Sequence, residues 1–197
     1  VDKEGYHLEL DDRYAKDMVE RLGLESARMV ATPAVKEDAK KKDSTELGDK
    51  AHREYRGAAG VGQHMSDHRV DSTFATKELM RDAAKPTNHS FEKLKRVGRY
   101  FRGRMKCVQD FPWVFGVGSS ARDRENEISL EIFVDADWAG NKKDRKSTSG
   151  GMVCCRGHLL KHWASTQPTH SLSPAESEAK ALTKGAVEGL YLKHLLE

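Results

Sequence analysis

Long apolar runs and aromatic side chains are scarce in this sequence of 197 residues. Hydrophobic residues make up 37% of the chain and aromatic residues 7%, and the mean hydropathy is −0.74. No apolar run approaches the roughly 18 residues that indicate a membrane-spanning helix, and the first residues lack the apolar core of a secretory signal. We therefore expect a soluble chain with no membrane insertion.

Cysteine is also sparse, and neither sign of charge dominates. The 3 cysteines, of which Cys154 and Cys155 are adjacent, do not make a disulfide framework, so we expect a reducing compartment, the cytoplasm or the nucleus. Zinc binding by these cysteines with His158 and His162 is disfavoured, because adjacent residues of a strand point to opposite faces. The net charge of +3 is too small to indicate a polyanionic partner by itself.

The first part of the chain predicts a strand and helices separated by a charged linker. Apolar periodicity and end signals place these elements at Tyr6–Leu10 (strand), Asp12–Leu22, Ala51–His64, Ser72–Ala83 and Thr87–Gly103 (helices), with the linker at Ala31–Lys50. Because the chain begins at Val1 rather than Met, we expect either a processed piece of a longer protein or a deliberately trimmed chain.

One face of the last of these helices is strongly basic. Seven cations and no acidic residue lie in the interval from 93 to 106, which exceeds what solubility requires. The face predicts either a track for nucleic-acid phosphates or a solvated helix surface. These cations are Lys93, Lys95, Arg96, Arg99, Arg102, Arg104 and Lys106.

The last part of the chain predicts an antiparallel sheet covered by one helix. Residues 127–134 alternate apolar and polar side chains, and two further strands, 151–156 and 159–164, flank a turn at Arg156-Gly157. Three strands without an intervening helix favour a meander. A helix from Pro174 to the chain end completes an α+β (α/β-like) fold.

Carboxylates follow the first of these strands and begin the final helix. Asp135 and Asp137 at the strand end are also ordinary turn residues, and Glu176 completes a capping box with Ser173. Glu178 lies about 200° around the helix from Glu176, nearer the face that packs on the sheet. A carboxylate there is costly unless paired or metal-bound, so Asp135 and Glu178 predict an oxygen-only site for Mg²⁺ or Mn²⁺.

Four motifs follow one another in the last part of the chain: Asp135-Ala136-Asp137-Trp138-Ala139-Gly140, residues 144–151, Trp163-Ala164-Ser165 with Gln167-Pro168, and residues 172–182. Their residues and order resemble the ribonuclease H domain of copia-type retrotransposon polyproteins. Upstream, residues 55–60, 69–75 and 94–100 resemble the connection between polymerase and ribonuclease H in those polyproteins, and residues 5–33 resemble the polymerase thumb.

The resemblance implies a catalytic role for Asp135 and Glu178. Enzymes of this family hold two divalent metals, Mg²⁺ or Mn²⁺, with four carboxylates and cleave the RNA strand of RNA–DNA hybrids. It also implies a thumb-like segment at 1–50, a helical connection at 51–118 and an incomplete ribonuclease H-like domain at 119–197. The third and fourth carboxylates would follow Glu197, so the resemblance implies impaired activity.

Two further expectations follow from the resemblance. The strand 127–134 would have an open apolar edge, which invites a protein partner or a second copy of the chain. Residues 62–72 are more polar than the family pattern and lack its proline, which predicts looser packing there. The alternative to a nuclease fragment is a non-catalytic, retroelement-derived binding or structural subunit of a larger assembly.

Overall fold

The structure, a computed structural model, describes residues 3–35, 43–112, 129–141 and 143–196. These residues form an α+β chain that divides into two compact units, residues 1–8 with 109–197 and residues 9–108. The helices are α1 (Arg13–Arg21), α2 (Asp49–Ser66), α3 (Thr73–Asp82), α4 (Asn88–Gly103) and α5 (Pro174–Leu196), and the strands are β1 (Gly5–Glu9), β2 (Val108–Pro112), β3 (Leu130–Asp137), β4 (Thr148–Cys155) and β5 (His158–Thr166).

The predicted meander is confirmed for the described residues. Strands β3, β4 and β5 form a three-stranded antiparallel sheet in that order, with β4 in the centre. The turn between β4 and β5 uses Arg156 at φ 49° and Gly157 at φ 81°, the left-handed pair that a tight hairpin turn requires. The first strand runs three residues further than predicted, to Asp137, and residues 127 and 128 lie outside the described residues.

Helix α5 covers one face of this sheet. A side chain at Gly185 would collide with Val134, and one at Gly189 would collide with Ile132, so the two glycines allow the helix backbone to approach β3 closely. Ala181, one turn before Gly185, is completely buried. The helix bears apolar residues on its other sides as well, and several of these are exposed: Leu182, Val187, Leu190, Tyr191 and Leu195.

Strand β2 is an element that sequence periodicity did not predict. It pairs with β1 in a two-stranded sheet. His7 lies 2.7 Å from Asp110, measured from Nδ1 to Oδ1, and the rings of Tyr6 and Phe111 are 5.9 Å apart. Five residues ending in Pro112 are too few for a reliable alternation signal.

Helices α1 to α4 surround the main apolar core of the second unit. The Tyr55 hydroxyl donates to the carbonyl of Leu79 at 2.8 Å, which joins α2 to α3 inside that core. The predicted helices are confirmed here, with α2 beginning two residues earlier than expected. Buried members of the core include Met18, Tyr55, Met65, Leu79, Leu94, Val97 and Phe101.

The segment predicted to pack loosely instead contains a buried ion pair, so that prediction was wrong. Arg69 is 1% exposed; its Nε and NH2 donate to the two Asp71 carboxylate oxygens at 3.0 and 2.8 Å, and NH1 donates to the Arg104 carbonyl. The Tyr100 hydroxyl donates to Asp71 at 2.6 Å. Burial alone raises the pKa of Asp71, but the hydrogen bonds from Arg69 and Tyr100 outweigh it and hold that pKa below its ordinary value.

The described end of the predicted linker also has defined partners. The Leu47 amide donates to the Pro86 carbonyl at 3.0 Å, and Asp43 accepts from the side chain of Asn88 at 2.8 Å. Residues 43–48 therefore line the start of α4, whereas residues 36–42 lie outside the described residues. The three-segment division at residues 50 and 118 stays a prediction.

None of the helices in the described parts of the chain is long and apolar enough to span a membrane.

Candidate metal and nucleic-acid site

The loop after β3 is held in place by hydrogen bonds from its own backbone and from Trp138. The Trp138 indole donates to the Ser171 carbonyl at 2.9 Å, and the amide of buried Ala139 donates to Ser147 Oγ at 3.0 Å. The Asp137 carboxylate folds against Gly140, where any side chain would collide with it. Asp137 thus has a structural role in the turn.

The first turn of α5 is capped by Ser173 as predicted, but Glu176 reaches the Leu172 amide rather than the Ser173 amide of a complete capping box. Ser173 Oγ accepts from the Glu176 amide at 3.2 Å, while Glu176 accepts from the Leu172 amide and pairs with Lys180 at 2.8 Å. The Lys180 ammonium, followed by the Leu172 amide, lowers the pKa of Glu176. Glu176 is therefore occupied by capping, which leaves Glu178 as the carboxylate of this turn available to the sheet.

Glu178 reaches the backbone that directly follows Asp135. The Ala136 amide donates to Glu178 Oε1 at 3.3 Å. Standard bond geometry then places that carboxylate oxygen within about 6 Å of the Asp135 Cα. Successive side chains of β3 point to opposite faces, so the Asp135 side chain lies on the face opposite to Val134 and Ala136. Glu178 therefore approaches this strand position from the α5 side, while the Asp135 side chain projects from the other side.

A buried polar network, which we call the Gln167 network, joins this turn of α5 to β4. Gln167 is 3% exposed; its side-chain Nε2 donates to Ser149 Oγ at 3.0 Å and to the Ser177 carbonyl at 2.8 Å. Its Oε1 accepts from Ser171 Oγ at 2.8 Å, and its backbone N–H donates to the Ser147 carbonyl at 2.9 Å. The family resemblance includes Gln167 in a motif, but periodicity gave no signal for its contacts, because a single polar residue after a strand resembles any loop residue.

Asp135 and Glu178 stand apart from further metal ligands. Within the ranges that the structure describes, no group of three or more His, Cys, Asp or Glu side chains is arranged to hold a metal ion. Their oxygen donors are of the type that Mg²⁺ or Mn²⁺ prefers, and Mg²⁺ is commonly held by one or two carboxylates with water and phosphate oxygens. Two carboxylates suit one hydrated ion rather than a complete two-metal site.

The predicted basic face on and after α4 makes many contacts within its own unit. Arg96 donates to Thr32 Oγ1 at 2.9 Å, and Arg102 donates to the Glu25 carbonyl at 2.6 Å. Lys95 pairs with Glu92, Lys106 with Glu9, and Lys93 lies 3.7 Å from Asp82. The guanidinium of Arg104 lies 5.6 Å from the centre of the Tyr100 ring.

These contacts leave the positive charge at the surface rather than burying it. All seven cations keep at least part of their surface exposed, and Arg104 and Lys106 are the most exposed of them. A surface ion pair contributes little stability and exchanges readily with other anions. The arrangement is consistent with a phosphate track whose side chains are partly ordered in advance.

Comparison with known proteins gives consistent matches along nearly the whole chain. The retrovirus-related Pol polyproteins from transposons RE2 and RE1 of Arabidopsis thaliana are each 30% identical to it, over 194 and 193 residues. The chain is homologous to retrotransposon Pol polyproteins. Each of these two matches covers 98% of this Pol-related chain but only 12% of the polyprotein.

A shorter relative covers a similar region. An uncharacterized mitochondrial protein of Arabidopsis thaliana is 26% identical to the Pol-related chain over 176 residues, which is 89% of this chain and 68% of that protein. No protein-family model and no solved structure matches the chain. The matches support a retroelement origin and leave the role of each segment to be argued from its residues.

Proposed function

We propose that this chain is part of a retroelement reverse transcriptase/ribonuclease H. In the intact parent protein it would contribute to metal-dependent cleavage of the RNA strand of RNA–DNA hybrids. The observation that supports the proposal is the hydrogen bond from the Ala136 amide to Glu178, which lies at the backbone directly after Asp135. Residues 1–50, 51–118 and 119–197 would then serve as thumb-like, connection and ribonuclease H-like segments.

Asp135 and Glu178 would be the metal ligands, with Mg²⁺ or Mn²⁺ as the ion. When bound, such an ion lowers the pKa of a coordinated water and stabilises charge on the phosphate oxygens. Because Asp135 and Glu178 approach β3 from opposite faces, a shared ion would have to lie at the edge of β3 that pairs with no other described strand, within reach of both carboxylates. The basic face from Lys93 to Lys106 would bind the hybrid through its phosphates.

We infer that the chain on its own has impaired activity. Two carboxylates can hold one hydrated ion weakly, but a two-metal clamp on the attacking and leaving oxygens needs more ligands. Within residues 3–35, 43–112, 129–141 and 143–196, no third ligand joins them. The complete activity would therefore belong to a larger protein or assembly.

A non-catalytic binding or structural subunit is the second candidate. It is favoured by the apolar residues that α5 exposes and by the position of β3, which pairs with β4 on one side and with no other described strand. An unpaired strand edge can add a strand from another chain. In this alternative, a protein partner or a second copy would bind along β3.

Cleavage of a labelled RNA–DNA hybrid in Mg²⁺ or Mn²⁺ tests the first proposal. We expect weak metal-dependent cleavage by the wild type that Asp135→Asn and Glu178→Gln each reduce by about 100-fold or more, since removing a metal ligand removes transition-state stabilisation. Glu176→Gln is the matched control, two residues from Glu178 on the same helix turn, and should keep most of the activity. Wild-type chain that leaves the hybrid intact in both metals would contradict the nuclease proposal for this chain and favour the subunit.

A further inference from the structure

Glu178 can serve a metal site only if α5 is held at one position along its own axis. The contacts of Gly185 and Gly189 with β3 bring the helix close to the sheet, but they are apolar. Apolar packing is non-directional and tolerates sliding, whereas hydrogen bonds fix distance and angle. Later in the helix, Lys184 donates to Ser165 Oγ at 2.8 Å and Lys161 to Glu188 at 2.6 Å. The directional contact nearest to Glu178 has the most direct effect on where its carboxylate lies.

That contact is made by Gln167. The side-chain amide nitrogen donates both of its N–H groups inside the protein, one to Ser149 Oγ of β4 and one to the Ser177 carbonyl. The side-chain oxygen accepts from Ser171 Oγ. Ser177 is completely buried and directly precedes Glu178. A single planar amide thus joins the central strand to the first turn of the helix.

The geometry points to Gln167 as a positioning residue that keeps Glu178 against the Ala136 amide beside Asp135. This inference rests on the proposed function for its purpose, but the geometry it predicts can be measured without metal or substrate. The Ala136 amide is bound to Glu178 and so is not available to β4. Its hydrogen exchange therefore reports directly on whether Glu178 is in place.

Hydrogen exchange followed by nuclear magnetic resonance on the whole chain tests the assignment. We expect Gln167→Met, which keeps the side-chain volume but removes the hydrogen bonds, to speed exchange at Ala136 by about tenfold, as loss of one buried hydrogen bond predicts. Glu178→Ala should give a similar increase. Ser177→Ala is the matched control, because it keeps the backbone carbonyl that Gln167 binds, and it should leave exchange at Ala136 close to wild type.

The buried amide of Val153 on β4 reports the fold in the same spectra. If Gln167→Met accelerates exchange at Val153 as strongly as at Ala136, then Gln167→Glu, which keeps the acceptor for Ser171 but has no donor for Ser177, replaces it in the comparison. Unchanged exchange at Ala136 in a folded Gln167 variant would overturn the assignment.

Mn²⁺ binding, followed by electron paramagnetic resonance, separates this inference from the proposed function. Faster exchange at Ala136 without any Mn²⁺ binding by the wild type would support the positioning role and contradict the metal site. Mn²⁺ binding that is lost in Asp135→Asn but kept in Gln167→Met would support the metal site and contradict the positioning role. Loss of binding in both variants supports the two together.

Discussion

At the scale of single residues, the most consequential feature is the burial of Arg69 with Asp71 and Tyr100. A buried ion pair adds little net stability relative to apolar residues, but breaking it leaves an uncompensated charge inside the protein. Without Asp71, the almost fully buried Arg69 guanidinium would keep only the Arg104 carbonyl as hydrogen-bond acceptor, beside the Phe101 ring 5.0 Å away. The polar composition of residues 62–72 therefore reflects a specific network rather than loose packing.

Asp71→Asn should lower the free energy of unfolding by about 3 kcal/mol at pH 7, because Arg69 loses its counter-charge while remaining buried. The folded-state pKa of Asp71 is lowered, so its stabilisation is complete above the ordinary value of about 3.9 and is lost as the pH falls through the folded value. Urea unfolding followed by circular dichroism between pH 7 and pH 3 measures both effects.

The difference between the wild type and Asp71→Asn should consequently shrink below about pH 4. Glu20→Gln, an exposed carboxylate on α1, serves as the control and should change stability by no more than about 0.5 kcal/mol. A stability difference that stays constant from pH 7 to pH 3 would show that Asp71 acts through packing rather than charge.

Of the residues at the site, Glu178 could be predicted from the sequence, whereas the contacts of Gln167 could not. Helical periodicity and the capping box separated Glu178 from Glu176, because both rest on local spacing along one helix. Gln167 has no such pattern, since its partners lie on β4, in a loop and on α5, and only the folded chain brings them together. Long-range polar contacts of this kind carry no local signature.

At the scale of helices and strands, the close approach of α5 to β3 depends on two glycines. A methyl group at Gly185 would lie 2.5 Å from Val134 Cγ1, well inside normal contact. We expect Gly185→Ala to destabilise the protein by about 1–3 kcal/mol, because overpacking outweighs the roughly 1 kcal/mol gained in helix propensity.

Gly60→Ala in α2 is the control for Gly185→Ala, since no atom lies within 4 Å of the position that the new methyl group would occupy. There only the propensity term acts, and we expect stabilisation of up to about 1 kcal/mol. Thermal unfolding of the two variants beside the wild type measures the contrast. Equal shifts in the same direction would mean that backbone propensity, and not contact with β3, explains the glycine in α5.

Element prediction succeeded where the periodic signal was long and failed where it was short. The alternation before Asp135 and the extended apolar pattern of α5 predicted the sheet and its covering helix. Strand β2 was missed because its five residues acquire their role only by pairing with β1, more than 90 residues earlier in the chain. Strand β3 also continues past its predicted end, and β4 begins before its predicted start, because in both places polar residues that are typical of turns belong to the strand.

At the scale of the whole molecule, the question is whether the chain binds nucleic acid through its basic face. Net charge does not decide it, because +3 over 197 residues is nearly neutral. Counterion release from phosphates requires cations gathered on one surface, and the interval from 93 to 106 is where the sequence gathers them. The test must therefore neutralise cations of the basic face, and its control must neutralise the same number of cations elsewhere, so that both variants have the same net charge.

Changing Arg96, Arg99 and Arg102 together to Gln should weaken binding to an RNA–DNA hybrid and flatten its salt dependence. Removing one cation that pairs with a phosphate reduces the slope of log K against log salt by about 1, so a reduction of about 2–3 is expected. The control changes Lys50, Arg53 and Arg56, three cations of α2, to Gln, which alters the net charge by the same amount. It should leave the slope nearly unchanged, because these cations lie outside the basic face. Fluorescence anisotropy over a range of salt concentrations gives both slopes, and circular dichroism verifies that the helices stay intact without the Arg96 and Arg102 hydrogen bonds. Equal effects of the two triple variants would assign hybrid binding to overall charge and remove the basic face from the proposed function.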